Sequence, residues 1–269
     1  MSTPIPNGAG PTGPTGRWGD LMPRIISALV MVVVALGAIW AGGLVFILVI
    51  ALCCGGMVWE LTQMLAPRRS GTALQLGAAA FGAVCLAGVL PVPLGLALLL
   101  LPVVLGWLKV AEAAKTRFAI FALWVVFAGY SFIWMRGTLG ADWLIWLALV
   151  VIATDVAGYF AGKIFGGPKF WPRISPKKTW SGTSAGWVAA ALVGLGAAPL
   201  FDMGFALVLA SVLVSMASQA GDVAESALKR QTGVKDSSGL IPGHGGLLDR
   251  FDGMLGAAAM FLLLFTFLG

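Results

Sequence analysis

Nine stretches of roughly 18 to 25 mostly apolar residues limit what this chain can fold into. They run approximately over 24–41, 44–65, 73–90, 92–109, 117–135, 142–165, 182–200, 203–228 and 251–268. Each matches the helix of about 20 residues that crosses a hydrocarbon core about 30 Å thick. In lipid the backbone must satisfy its own polar groups, and a helix does so within one segment. With 59% hydrophobic residues and a mean hydropathy of +0.95, the chain is too apolar for a soluble globule. The expectation is an all-α polytopic membrane protein of about nine transmembrane helices with a polar active site on the cytoplasmic side. The third and fourth spans should form a tight hairpin at "PVP", residues 91–93, and Pro102 should kink the fourth.

The remaining segments place these spans. Residues 1–23 are rich in Pro, Gly and Thr and lack an apolar stretch, so they read as a disordered tail rather than a signal peptide. The rest, 24–269, reads as one transmembrane catalytic domain: N-terminal helices over 24–135, catalytic helices and loops over 142–269. Cys53, Cys54 and Cys85 lie inside apolar runs without metal-ligand spacing and read as small core residues. A net charge of +6 is no sign of nucleic acid here, because basic residues in a membrane protein first report topology. Of the 17 Lys and Arg, all but Arg136 fall on the N-terminal side of a nine-span layout. That asymmetry predicts a cytoplasmic N-terminus and polar loops, with the C-terminus on the opposite side. No internal repeat or matched pair of broken helices marks an inverted-repeat transporter.

The scarce polar residues gather in three places. Asp155 lies inside the sixth span, where a carboxylate faces a partner helix, a cavity or a metal. In "ISPKKTWSG", residues 174–182, Lys177 and Lys178 stand beside Thr179 and Ser181, and Ser181 occupies the expected N-cap of the seventh span. This loop suits phosphate, or equally the anionic lipid head groups that juxtamembrane lysines hold. The third place is "GDVAESALKRQTGVKDSSGLIPGHGGLLDRFDG", residues 221–253. Asp222 and Glu225 share one helix face, and Asp249 and Asp252 share another at the start of the ninth span. Two such helix ends can converge on Mg²⁺, which prefers carboxylate and phosphate oxygens; acids at a helix start also complement its dipole. "GHGG", residues 243–246, lets the backbone approach an anion closely. It is neither a Walker loop nor a Rossmann fingerprint. His244, the only histidine, has no cysteine partners for zinc. Together these features point to metal-dependent phosphoryl or nucleotidyl transfer at a membrane.

Residues 226–252, "SALKRQTGVKDSSGLIPGHGGLLDRFD", resemble the signature of phosphatidate cytidylyltransferases, S-x-x-K-R-x4-K-D-x8-H-G-G-x2-D-R-x-D. Ser226, Lys229, Arg230, Lys235, Asp236, His244, Gly245, Gly246, Asp249, Arg250 and Asp252 meet every fixed position. Asp155, Tyr159 and Gly162 and the "SPKKT" at 175–179 fit the family too; Ser181 stands where many members carry an acid. The resemblance implies transfer of CMP from CTP to phosphatidate, giving CDP-diacylglycerol and pyrophosphate. It implies Asp222 and Asp249 as ligands of Mg²⁺, with a second, monovalent cation such as K⁺. Lys229, Arg230 and Asp252 join them as catalytic residues. For substrate it implies Lys177, Lys178, Thr179, Ser226, Lys235, Asp236, His244, Gly245, Gly246, Arg250 and Asp155, and it implies a homodimer among membrane lipids. CTP-dependent polyprenol kinases and an ion-coupled transporter using Asp155, Asp222 and Glu225 are the alternatives. The motif of CDP-alcohol phosphotransferases fails after Asp252-Gly253.

Overall fold

A computed structural model describes residues 21–67 and 70–268, with side chains through Phe265. Among these residues, with a 3-10 turn at Glu112–Ala114 and a π turn at Met135–Leu139 flanking the sixth helix, ten α-helices and one short hairpin follow in chain order. They are α1 (Leu21–Ala41), α2 (Gly43–Leu65), α3 (Ser70–Ala87), α4 (Val92–Leu98), α5 (Leu101–Lys109), α6 (Lys115–Trp134), α7 (Ala141–Ile164), β1 (Lys169–Trp171), β2 (Ser175–Thr179), α8 (Trp180–Phe201), α9 (Phe205–Thr232) and α10 (Leu248–Leu268). Eight helical segments, counting α4 and α5 as one, are long and apolar enough to cross a membrane. The ninth expected span is α10, which begins before the apolar stretch with a polar first turn. The chain is thus a nearly all-α polytopic membrane protein, and its apolar side chains cover the outside as well as the core.

Several expected boundaries move. Of the proposed tail, residues 1–20 lie outside the described residues, while Leu21–Pro23 already belong to α1. Arg17, Arg68 and Arg69 also lie outside them. The fourth span is not merely kinked. Pro102 has no N–H and its ring would strike the carbonyl four residues back, so α4 stops at Leu98 and α5 restarts with Pro102 in its first turn. Segment 174–182, read as a loop, is partly a strand: β2 pairs antiparallel with β1, Lys169 opposite Thr179 and Trp171 opposite Ser175. Because that strand stays extended through Thr179, Thr179 caps α8 in place of Ser181, its Oγ1 accepting from Gly182 N at 3.2 Å. Ser181 instead donates to the Gly166 carbonyl at 2.5 Å and meets Thr179 Oγ1 at 3.0 Å.

Close helix contacts then fix where the polar residues arrive. A Cβ on Gly182 would lie 2.5 Å from the Gly158 carbonyl oxygen, so α7 and α8 touch backbone to backbone. A Cβ on Gly221 or Gly256 would likewise overlap the facing backbone of α10 or α9. These contacts set Asp155 of α7 beside β2, and Asp222 of α9 beside the first turns of α10. The start of α1 reaches the same end through Ser27 and His244, as does the end of α2 through Glu60 and Leu248. The polar helix ends are thus gathered at one pole of the bundle, as the charge pattern predicts. Arg136 lies at the other, its Nε donating to the Ile39 carbonyl at 2.8 Å.

Candidate functional site

The first part of the site is a cleft of about 370 Å³ between α7, β2, α8 and α9. Asp155 and Tyr159 border it from α7, Lys177, Lys178 and Thr179 from β2, and Gln219 and Asp222 from α9. Alternation along β2 exposes Lys177 while Lys178 turns inward to pair with Asp222 Oδ2. Ser226, one helical turn on, donates to Asp222 Oδ1 at 3.2 Å. Gln219 is aimed by Trp187, whose Nε1 donates to its Oε1 at 2.9 Å, and its own Nε2 donates to the Thr183 carbonyl at 3.2 Å. Asp252 of α10 lies within electrostatic reach of Asp222 and Asp155, the two carboxylates that line the cleft. The cleft thereby holds both signs of charge, cations for anionic oxygen and acids for a cation.

The second part is a buried polar knot beneath the glycine loop. Lys229 Nζ lies 2.6 Å from Asp249 Oδ1 and 2.6 Å from Glu225 Oε2. The Glu225 contact is an ion pair without hydrogen-bond alignment, and that side chain is fully buried. Asp249 Oδ2 accepts from Ser237 N, Ser237 Oγ and Gly246 N, each at 2.8 Å. Burial opposes the charge on Asp249, which sits in the first turn of α10 before its apolar stretch. The Lys229 ammonium, the N–H groups of Gly246 and Ser237, and the Ser237 hydroxyl outweigh that burial and hold its pKa below the ordinary carboxylate value. Gly245 adopts φ +81°, and a Cβ there would lie 2.8 Å from Asp249 Oδ2, so the loop can fold over this carboxylate only as glycine.

One member of the knot escapes the sequence pattern. Glu60, fully buried in α2, accepts from Ser238 Oγ (2.6 Å), Leu247 N and Leu248 N (both 2.8 Å), while Ser237 Oγ, whose one proton goes to Asp249 at the shorter distance, lies 3.2 Å away. The signal that finds it is a lone carboxylate inside an apolar span, the same signal that singles out Asp155. Outside the knot, Arg230, Lys235, Asp236 and Arg250 are exposed at the same pole and form no ion pair among the described residues. His244 Nδ1 lies 2.8 Å from Ser27 Oγ, which ties the loop to α1.

A divalent cation suits the two expected ligands unequally. The Asp222 carboxylate is partly exposed on the cleft, met by the partly exposed Lys178 and the Ser226 hydroxyl, and its hard oxygens suit Mg²⁺. Asp249 Oδ2 is saturated by three donors and Oδ1 faces the Lys229 ammonium, so a cation there would meet a like charge. Among the described residues no three acids converge as a self-sufficient cage. Such a cage is unnecessary for Mg²⁺, which takes one or two carboxylates and completes its shell with water and substrate phosphate.

Comparison with known proteins agrees with this chemistry. The model of the cytidylyltransferase family matches residues 22–268. A phosphatidate cytidylyltransferase of Brucella suis biovar 1 (strain 1330) is 37% identical over 259 residues, covering 91% of this chain and 93% of that protein. One from Helicobacter pylori (strain ATCC 700392 / 26695) is 43% identical over 129 residues, 47% of this chain and 48% of its own length. One from Staphylococcus saprophyticus is 36% identical over 141 residues, 51% and 54% of the two lengths. With a family match running from the start of α1 to the end of α10, this chain belongs to the cytidylyltransferase family.

Proposed function

We propose that this membrane nucleotidyltransferase transfers CMP from CTP to phosphatidate, yielding CDP-diacylglycerol and pyrophosphate in phospholipid synthesis. The observation that carries the reading is the Lys178–Asp222 pair on the wall of the cleft. Both side chains keep contact with water, and a pair screened in this way is worth about 0–1 kcal/mol, so it opens readily. A metal–triphosphate offers each member a better partner, phosphate for Lys178 and the cation for Asp222. Mg²⁺ when bound would neutralise triphosphate oxygens and the leaving pyrophosphate.

The protein's own residues supply placement. Lys177 and Lys178 bind phosphate from β2, and Thr179 holds that strand against α8. The exposed Arg230, Lys235 and Arg250 draw anionic substrate to the pole. A phosphatidate oxygen attacks the α-phosphorus of CTP, the new P–O bond forms, and the bond to the β-phosphate's bridging oxygen breaks in line. Phosphatidate is already anionic near neutral pH, so no strong base is required and His244 serves to position the loop. The charge asymmetry supports a cytoplasmic site in the inner membrane, with the C-terminus opposite. The homodimer and the monovalent cation rest on the family resemblance.

The test is purified protein with radiolabelled CTP, phosphatidate and Mg²⁺. Labelled CDP-lipid and equimolar pyrophosphate are expected. No CDP-lipid, while a relative is active in the same assay, refutes the proposal.

A further inference from the structure

We infer that Glu60, far from the signature in sequence, is a positioning residue for the reaction: it latches the glycine loop and the start of α10 into the shape that receives CTP. This rests on the reading above that the loop and its neighbours hold triphosphate.

Glu60 is fully buried, and no cation among the described residues pairs with it. A buried carboxylate without a counter-ion is costly unless its oxygens are fully hydrogen-bonded. Here all its donors come from one segment, 237–248: two backbone N–H groups at the start of α10, the Ser238 hydroxyl before the loop, and a share of the Ser237 hydroxyl proton that mainly serves Asp249. The positive end of the α10 dipole supplies the missing charge compensation. One side chain of α2 thereby closes both edges of the loop, Ser237–Ser238 on entry and Leu247–Leu248 on exit. The loop between them carries His244, Gly245 and Gly246.

The latch also accounts for a fixed glycine of the signature. A Cβ on Gly246 would lie 2.1 Å from Ser237 Oγ and 2.5 Å from Glu60 Oε1, so Gly246 must lack a side chain because both groups pack against it. Gln cannot replace Glu60 faithfully. Each of its oxygens receives one backbone N–H, and an amide NH₂ in either place would point a donor at a donor. A general scaffold role would not require a charge buried at this point, whereas the aiming of a phosphate loop requires a fixed backbone.

The experiment compares wild type with Glu60→Gln and Glu60→Ala. All are assayed with CTP and phosphatidate and normalised to folded, monodisperse protein. For Glu60→Gln, kcat/KM for CTP should fall at least tenfold while the KM for phosphatidate stays within twofold. Glu60→Ala, which removes both acceptor oxygens, should lose at least as much as Glu60→Gln in kcat/KM for CTP. Independently of turnover, trypsin should cut at Lys235 and Arg250 at least fivefold faster in folded Glu60→Gln. Unchanged CTP kinetics and unchanged cleavage in Glu60→Gln overturn the inference. If Glu60→Gln does not fold, Ser238→Ala removes one donor and should raise the KM for CTP two- to fivefold at constant kcat; wild-type kinetics there overturn it. A wild type that makes no CDP-lipid defeats the proposed function instead, and the cleavage comparison still decides whether the latch exists.

Discussion

Replacing Lys229 by Met is the sharpest probe of the knot. Lys229 is 15% exposed in its side chain, while its partners Glu225 and Asp249 are 0% and 2% exposed. Methionine keeps most of the volume, so the change removes charge rather than packing. Glu225 then keeps no cation within reach, and Asp249 keeps only its N–H and hydroxyl donors. Stripping one member from a buried charge cluster costs about 3–5 kcal/mol. At about 2–4 °C per kcal/mol for a chain of this size, the melting temperature in mild detergent should drop by about 6–20 °C. The double variant Glu225→Gln/Lys229→Met removes the stranded charge and should recover most of that loss, because replacing a whole buried pair is often neutral. Asp249 stays anchored in both by Ser237 and Gly246. Differential scanning fluorimetry of the two proteins in one detergent decides it. A Lys229→Met protein melting within 2 °C of wild type, or a double variant as unstable as the single, refutes the knot as the support of this pole.

Asp222→Asn should reduce CDP-lipid formation by at least a thousandfold, with melting within 2 °C of wild type because the residue is partly exposed; substantial remaining turnover removes it from the metal site. Asp249 has a native pKa below its unfolded one, so the stability it gives is complete above the ordinary Asp value of about 3.9 and is lost as pH falls through the lower native value. Thermal melts from pH 6 to pH 3 should therefore be flatter for Asp249→Asn than for wild type, and parallel curves would contradict the assignment. Thr179→Ala removes the α8 cap and should lower stability by about 1 kcal/mol. Ser181→Ala, by contrast, should leave the α8 cap intact while loosening its tie to Gly166; a larger loss there than for Thr179→Ala would restore Ser181 as the cap.

The parts of the fold that reached the sequence as composition were legible, and those that depend on tertiary contact were not. Apolar length gave the spans, and basic residues gave the shared pole of Arg24, Lys178, Lys229 and Arg250. The hairpin of β1 and β2 left no such trace: Ser-Pro-Lys-Lys-Thr has little strand propensity, and its extension depends on pairing with Lys169–Trp171. Moving the helix start by that pairing shifted the cap from Ser181 to Thr179. Asp249 and Asp252, alike on a helical wheel, take unlike places because Lys229 and two loop N–H groups reach only the first. Glu60 was hidden by distance along the chain, since nothing local to "WELTQ" shows that residues 237–248 will fold over it.

The spacing of the signature follows from these contacts. Asp222, Glu225, Ser226 and Lys229 recur at three- and four-residue steps, so they form one stripe on α9. Its upper end faces the cleft through Asp222 and Ser226, and its lower end enters the knot through Glu225 and Lys229. On α10 the same division recurs between Asp252, near Asp222, and Asp249, bonded to Lys229. Two antiparallel helices with matched steps can meet at both levels only if their backbones approach closely, which Gly221 and Gly256 permit. The chain between them must then leave α9, pass over Asp249 and return within 15 residues, Gly233 to Leu247. Gly233 ends α9 at φ +74°, and Gly245 and Gly246 let the return lie directly on the Asp249 and Glu60 carboxylates. An inserted or deleted residue in that loop would shift the Ser237 and Gly246 donors off Asp249 while leaving every span intact. A fixed spacing between Lys229 and Asp249 is therefore a requirement of charge placement, not of membrane insertion.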